Sequence, residues 1–229
     1  MSFNIGGVQK TSLLDYPGKI ACIVFASRCN FRCGYCHNPE LITKSEPVLT
    51  VPAFFEFLNF RKGKLDGVVV TGGEPTLQEG LYDFIKQIKA LDFLVKLDTN
   101  GTNPVLLEML INNGLLDYIA MDIKAPLEKY KIITNVECNI LNIQKSIELI
   151  MNSKIDYEFR TTVLKSQLTF DDFDKIGQLI NGAKRYYLQK FVPSKILDNS
   201  LIMETSYSDE ELSEILLILG KYLTQASVR

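Results

Sequence analysis

The sequence predicts an α/β protein: a partial, open (β/α)6 barrel of the TIM type with a closing C-terminal helix. Three observations carry that expectation. Six short apolar runs rich in β-branched and aromatic residues recur along the chain, at 20–26, 67–71, 93–98, 118–122, 156–163 and 185–191. Several are apolar on both faces, as in a strand covered on both sides. Each is followed by an amphipathic run of helical period, which makes parallel strands with right-handed helical crossovers the natural connection. The chain has 229 residues, short of the roughly 250 that eight such units take. A doubly wound sheet is the alternative that periodicity alone does not separate from the barrel.

The elements follow in order. A lead of residues 1–17 precedes the first strand, and the core of repeated units spans about 18–195. Helices are expected over 51–61, 77–91, 104–114, 142–153 and 170–182, with a last one over 208–223. Thr76 and Glu79 stand three apart at the start of the second helix, the spacing of a capping box. Gly114 and Gly182 mark the ends of the third and fifth. No internal repeat, low-complexity tract or Pro/Ser-rich linker divides the chain, so residues 1–229 read as one domain.

Composition narrows the function. The chain is 46% hydrophobic and 23% charged, with a formal net charge of −2 and a pI near 5.6. No basic run tracks a phosphate backbone, so no nucleic-acid partner is expected. No apolar stretch approaches the ~18 residues of a membrane helix. The opening segment lacks a charged start followed by an apolar core, so no secretory leader is expected and the protein is placed in the cytoplasm. There, clustered cysteines point to metal binding or catalysis rather than disulfides. The single histidine, His37, excludes any mechanism that needs two.

In either architecture, ligands bind at the C-terminal ends of the strands, and the unusual polar residues gather there. A cysteine loop follows the first strand, and Thr71-Gly72-Gly73-Glu74-Pro75 follows the second. The third ends in Asp98-Thr99-Asn100-Gly101, the fourth in Asp122-Ile123-Lys124, and Arg160 and Thr162 lie within the fifth. The glycine-rich turn suits an ammonium better than a phosphate, because Glu74 repels anions; a plain tight turn with Pro75 near a helix start is the simpler reading. Asn100-Gly101 is also a strong turn signal. Asp122 and Lys124 face the same way from an extended strand, which an exposed ion pair would also explain. Arg160, if buried, needs an anionic partner.

The cysteine loop reads Cys29-x3-Cys33-x2-Cys36-His37. Four readings compete: clustered core thiols, structural zinc with His37 as fourth ligand, c-type haem at Cys33-x-x-Cys36-His37, and a cubane iron–sulfur cluster. Adjacent Cys36 and His37 are poor joint ligands for one zinc ion, and haem leaves Cys29 unexplained. A cubane usually takes four cysteines. Held by three, it keeps one iron open for a small molecule. Cys22 lies inside the first strand and reads as a core residue, Cys138 as an isolated thiol.

That spacing, with Tyr35 just before the last cysteine, resembles the radical S-adenosylmethionine (SAM) superfamily. The words Asp15-Tyr16-Pro17-Gly18-Lys19 and Cys36-His37-Asn38-Pro39-Glu40 resemble the activating enzymes of glycyl radical proteins, above all the activator of anaerobic ribonucleoside-triphosphate reductase. The resemblance covers residues 5 to about 195. It implies a [4Fe–4S] cluster on Cys29, Cys33 and Cys36, with SAM chelating the open iron. It implies reductive cleavage of SAM to a 5′-deoxyadenosyl radical, which takes a hydrogen atom from a backbone glycine of a partner enzyme. A flavodoxin- or ferredoxin-type protein would supply the electron.

The resemblance also assigns cofactor contacts. Tyr35, Gly72, Gly73 and Glu74 come first, the latter three on the SAM amino group. Asp98, Thr99 and Asp122 would lie near the methionyl end, around a monovalent cation, and Lys124 would approach the SAM carboxylate or the incoming peptide; Arg160, if buried rather than turned outward, would suit an anionic ligand carboxylate. The formate-lyase activators carry a histidine near the ribose; Gln189 is the nearest polar residue here, which favours the reductase-activating branch. No side chain need act as an acid or base. The competing functions are a radical SAM enzyme of a small heterocycle, of the deazapurine synthase kind, and a non-catalytic iron–sulfur electron carrier.

Overall fold

A computed structural model describes residues 3–43 and 46–229. They form one eight-stranded sheet in sequence order: β1 (Ile5–Ser12), β2 (Ala21–Ala26), β3 (Gly67–Gly72), β4 (Leu94–Thr99), β5 (Tyr118–Asp122), β6 (Asp156–Val163), β7 (Tyr186–Lys190) and β8 (Ala226–Val228). From β2 to β8 all neighbours pair in parallel. β1 pairs with β2 antiparallel, and β8 has no pairing with β1, so the sheet is an open, partial barrel.

The six expected strands are present with ends shifted by a residue at most. Two further strands correct the count. β1 occupies what the sequence suggests is a featureless lead. Its Gly6-Gly7 pair and the polar Gln9-Lys10-Thr11 give little strand signal. The sheet edge supplies the pairing, with a register shift on each side of the stretch 7–9. β8 has three residues, too few for any period to show.

The helices are α1 (Pro39–Thr43), α2 (Val51–Phe60), α3 (Leu81–Lys89), α4 (Pro104–Asn112), α5 (Tyr130–Thr134), α6 (Ile140–Asn152), α7 (Phe170–Leu179) and α8 (Asp209–Leu219). α1 and α5 are single turns in loops. Thr50, Asn103 and Thr169 cap α2, α4 and α7 by accepting from backbone N–H groups of the first turn. The capping box expected at Thr76 is not formed: Thr76 lies in a 3-10 turn, Pro75–Leu77, while α3 starts at Leu81 after an uncapped Gly80. Boxes form instead at Thr169–Asp172 and Ser208–Glu211. Gly114 and Gly182 follow their helices with φ of 64° and 85°, the left-handed turn that releases the chain. α8 packs on α7, where Gly177 leaves room for the Tyr222 ring beyond α8.

The main core lies between the outer face of the sheet and the helices. Phe54, Phe84, Ile85, Leu110, Ile147, Phe173 and Ile215 are fully or almost fully buried there. A second, small cluster fills the floor of the barrel: Tyr16, Ala21, Ile23, Val69 and Tyr118. Tyr16 enters from the β1–β2 turn and meets Tyr118 with ring centroids 6.0 Å apart. Ser12 and Asp15 lock that turn by hydrogen bonds, and Gly18 takes φ 68°. The segment Asp15–Lys19 is therefore the barrel's floor plug, at the end opposite the cysteine loop.

Candidate functional site

The interior above that floor is polar. In parallel strands, registered residues share a face, so Lys96 and Asp98 of β4, Asp122 of β5 and Glu158 and Arg160 of β6 all point inward. They form one chain of charge. Arg160 Nε donates to Asp122 Oδ1 at 2.9 Å and Nη1 to Asp98 Oδ2 at 3.2 Å. Lys96 Nζ donates to Asp98 Oδ1 at 2.5 Å and Lys124 Nζ to Asp122 Oδ2 at 3.0 Å. Burial alone would raise both carboxyls, but Arg160, together with Lys96 at one and Lys124 at the other, holds Asp98 and Asp122 below the usual carboxylate range. Burial would lower Lys124, but Asp122 keeps it well above the ordinary lysine value. Below this chain, Glu158 accepts from Tyr118 Oη at 2.9 Å and from Arg229 Nη1 at 3.0 Å.

A cavity of about 210 Å3 opens over these charges at the C-terminal ends of the strands. Cys29, Cys33, Tyr35 and Cys36 line one wall; Gly72, Gly73, Glu74, Asp98 and Thr99 line another; Asp122, Lys124 and Arg160 close the floor. Twelve of the thirteen residues singled out in the sequence thus meet in one place. The exception is Gln189. It pairs in register with the cavity residue Thr162 but does not itself line the cavity. Phe31, His37, Asn38, Ile42, Thr71, Asn100 and Thr162 complete the lining. Asn100 belongs to the polar word that ends β4. Phe31 and Ile42 carried no signal, because an apolar residue in a loop looks like any core residue until the loop is folded.

The cysteine loop is fastened to the ends of three elements. Arg28, at φ 69°, leaves β2 and turns the chain. Its carbonyl accepts from Glu74 N at 2.8 Å, and its N–H donates to the Leu41 carbonyl at 2.6 Å. Arg32 N donates to Thr134 O at 2.8 Å, and the Arg32 guanidinium reaches back to the carbonyls of Cys29 and Phe31. The approach of the two loops is so close that a Cβ on Gly73 would lie 1.9 Å from the Arg28 carbonyl oxygen. Gly72, at φ 120°, lies equally tight against Ala26. This backbone contact requires glycine at both positions.

Glu74 has a role the sequence did not suggest. It is almost wholly buried. Oε1 accepts from Thr76 N at 3.1 Å, Thr76 Oγ1 at 2.6 Å and Thr99 Oγ1 at 2.7 Å; Oε2 accepts from Asn100 N at 2.6 Å. Its carboxylate therefore ties the end of β3 to the end of β4. Burial pushes its pKa up and these donors oppose the shift. A second tie runs Asn100–Asn30–Thr102, joining the β4 end to the cysteine loop.

The donor set fits a three-thiolate cluster. The cysteines are free thiols, and burial pushes Cys29 up to about 12 and raises Cys33. Thiolates at this depth need a positive centre beside them. Among the described residues no group of three His, Cys, Asp or Glu side chains, the three cysteines included, closes on a point fit for a single ion. Cys22 is fully buried in the outer core, away from the cavity lining. The cation expected near Asp98 and Asp122 has a counterpart in the chain itself, the Arg160 guanidinium that bridges them.

An open barrel with three clustered cysteines over a charged floor defines a class, and the family comparison agrees. Residues 23–180 match the model of the radical SAM superfamily, and the chain belongs to that superfamily. A Methanocaldococcus jannaschii protein provisionally named a glycyl-radical enzyme activating enzyme is 33% identical over 232 residues, covering 98% of this chain and 95% of its own. The pyruvate formate-lyase-activating enzyme of Clostridium pasteurianum is 31% identical over 129 residues, 52% of each chain. QueE of Escherichia coli shares the fold, with a TM-score of 0.60 at 14% identity, covering all of this chain and 94% of that one. The protein is an enzyme of the radical SAM class, of the branch that activates glycyl radical enzymes.

Proposed function

We propose that the protein installs the radical on an anaerobic ribonucleoside-triphosphate reductase, drawing its electron from a flavodoxin- or ferredoxin-type donor. The observation that carries the activating role is the meeting of Cys29, Cys33 and Cys36 with the Gly72–Glu74 turn and the Asp98–Arg160–Asp122 floor in one cavity, in a chain that aligns with an activating-enzyme relative almost end to end. Cys29, Cys33 and Cys36 would hold a [4Fe–4S] cluster, and that cluster would supply the one-electron chemistry that reductive cleavage of SAM requires.

The chain's own groups bind, orient and exclude water. Gly72 and Gly73 let the backbone at the end of β2 pack directly on their turn, which holds the cysteine loop against the cavity wall. Lys124 and Arg160 present cationic groups to a carboxylate; Asp122 holds both in place and Asp98 holds Arg160. Thr99 donates to Glu74 and stiffens the same wall. Tyr35 stands over Lys124, its ring centroid 5.9 Å from Nζ. Gln189, outside the cavity, receives no role in this reading. The open edge of the barrel beyond β8 leaves a large partner room to offer a loop.

Anaerobically reconstituted protein, mixed with dithionite, SAM and an anaerobic ribonucleotide reductase, is expected to give 5′-deoxyadenosine and a glycyl doublet by EPR. The doublet with a formate-lyase partner and not with the reductase would move the assignment to the other branch. 5′-Deoxyadenosine with no doublet on any glycyl radical partner would favour a small heterocyclic substrate. A cluster whose EPR signal ignores SAM would leave only an electron carrier.

A further inference from the structure

Of the three inward carboxylates, Asp98 and Asp122 line the cavity, while Glu158 lies beneath them, 1% exposed. A carboxylate at that depth needs a cation hydrogen-bonded to it. Among the described residues, two cations pair with Glu158, both at Oε1. Arg229 Nη1 donates to it at 3.0 Å. Arg160 Nη1 stands off at 4.0 Å and gives its hydrogen bond to Asp98 Oδ2 instead, at 3.2 Å. Tyr118 Oη donates to the other oxygen of Glu158 but brings no charge.

Arg229 is fixed in place from several sides. It directly follows β8, and both of its backbone groups extend the ladder with β7: its N–H donates to the Leu188 carbonyl at 2.9 Å, and its carbonyl accepts from Lys190 N at 3.1 Å. Its guanidinium lies over the Tyr187 ring, 3.4 Å from the centroid. Tyr187 pairs in register with Arg160, so the Arg229 side chain passes beside Arg160 on its way to Glu158. Without the Arg229 charge, Glu158 has one cation left within reach, and that cation is Arg160. A movement of roughly 1 Å brings Arg160 Nη1 into hydrogen-bond range of Glu158 and draws it off Asp98. We infer that Arg229 is a positioning residue for Arg160. By satisfying Glu158, it leaves the Arg160 guanidinium on Asp98 and Asp122 at the cavity floor, where it faces a ligand carboxylate.

This inference rests on the carboxylate role given to Arg160 in the proposed function, and two readouts separate them. The test compares wild type, Arg229→Gln and the double variant Arg229→Gln/Glu158→Gln, each as the full chain. One readout is the Arg160 Nε–H NMR signal in protein carrying isotopically labelled arginine, before reconstitution, assigned by its loss in Arg160→Lys. The other is the SAM dissociation constant after reconstitution, with iron content as the control. The expected result is a displaced Arg160 signal and several-fold weaker SAM binding in Arg229→Gln at equal iron, both returned close to wild type in the double variant. An Arg160 signal that stays in place in Arg229→Gln would overturn the inference. So would a double variant as displaced as the single one, since Arg229 would then act through the β7 edge and not through Glu158. A displaced signal with unchanged SAM affinity would uphold the positioning of Arg160 and overturn its carboxylate role. If Arg229→Gln loses its cooperative thermal transition, Arg229→Lys decides. It keeps a charge for Glu158, so an Arg160 signal at the wild-type position supports the inference and a displaced one overturns it.

Discussion

Lys96 shows how closely the site depends on single charges. It is 1% exposed, deep in the barrel, and its ion-pair partner is Asp98. Changing Asp98 to Asn keeps the shape and removes the counter-charge. Breaking a buried pair from one side costs about 3–5 kcal/mol, because the remaining charge has no compensation. Asp98→Asn is therefore expected to lower the melting temperature by far more than a surface Asp→Asn such as Asp83→Asn, read by thermal denaturation of the two variants; equal melting temperatures would refute the pairing. The positions of Asp98, Asp122, Lys124 and Arg160 were singled out before folding; Lys96 was not. The charged residues stood out because aspartate, lysine and arginine rarely occur at the ends of apolar strands. Glu74 stood out too, but its distant partners did not: two of its four donors are local, on Thr76, and only the pairing of β3 with β4 brings it the other two, from Thr99 and Asn100.

At the scale of elements, the cysteine loop is placed by backbone rather than by side chains. The Arg28 carbonyl meets the Glu74 N–H, and Gly73 passes where any Cβ would collide with that carbonyl. Gly73→Ala is expected to push the loop off the end of β3 and misplace Cys29. Iron bound on reconstitution should fall several-fold while the helical circular dichroism signal stays close to wild type. Undiminished iron would show that the loop tolerates the displacement. Element boundaries were legible to the extent that each carried its own period. β5 and β6 were found residue for residue, and every expected helix exists. The Thr76 capping box failed because local spacing is only a proposal to the fold. Pro75 and the demand of Glu74 for the Thr76 N–H draw that segment into a 3-10 turn, and the helix waits until Leu81.

At the scale of the molecule, stability and site are linked through the same carboxylates. Asp98, Asp122 and Asp172 all have folded pKa values below their free values. A depressed carboxyl contributes stability that is present above its unfolded pKa of ~3.9 and is lost as pH falls through the folded value. Glu74 works with the opposite sign: its raised value makes the folded state bind the proton more readily, so acid relieves its burial. These three partly or wholly buried carboxyls, with Glu128, Asp198 and Glu211 at the surface lowered as well, outnumber the one raised, so urea midpoints are expected to fall as pH drops below about 4. Asp122→Asn should flatten that fall and Glu74→Gln should steepen it. A decline identical in wild type and Asp122→Asn would show that the floor carboxylates are not what acid attacks.

The sequence by itself determined the six βα units, the side of the sheet that carries the chemistry and nearly all the residues that line it. Hydrophobic period and rare polar residues at strand ends are local properties, readable one segment at a time. The tertiary structure alone decided the rest: that Gly6-Gly7 lies in a paired edge strand, that Tyr16 is a floor plug, that Gln189 stays out of the cavity, and that Arg160 is the cation between Asp98 and Asp122. Each of these depends on which strand lies beside which and in what register, and register is set by the whole sheet closing over its core rather than by any run of neighbours in the chain.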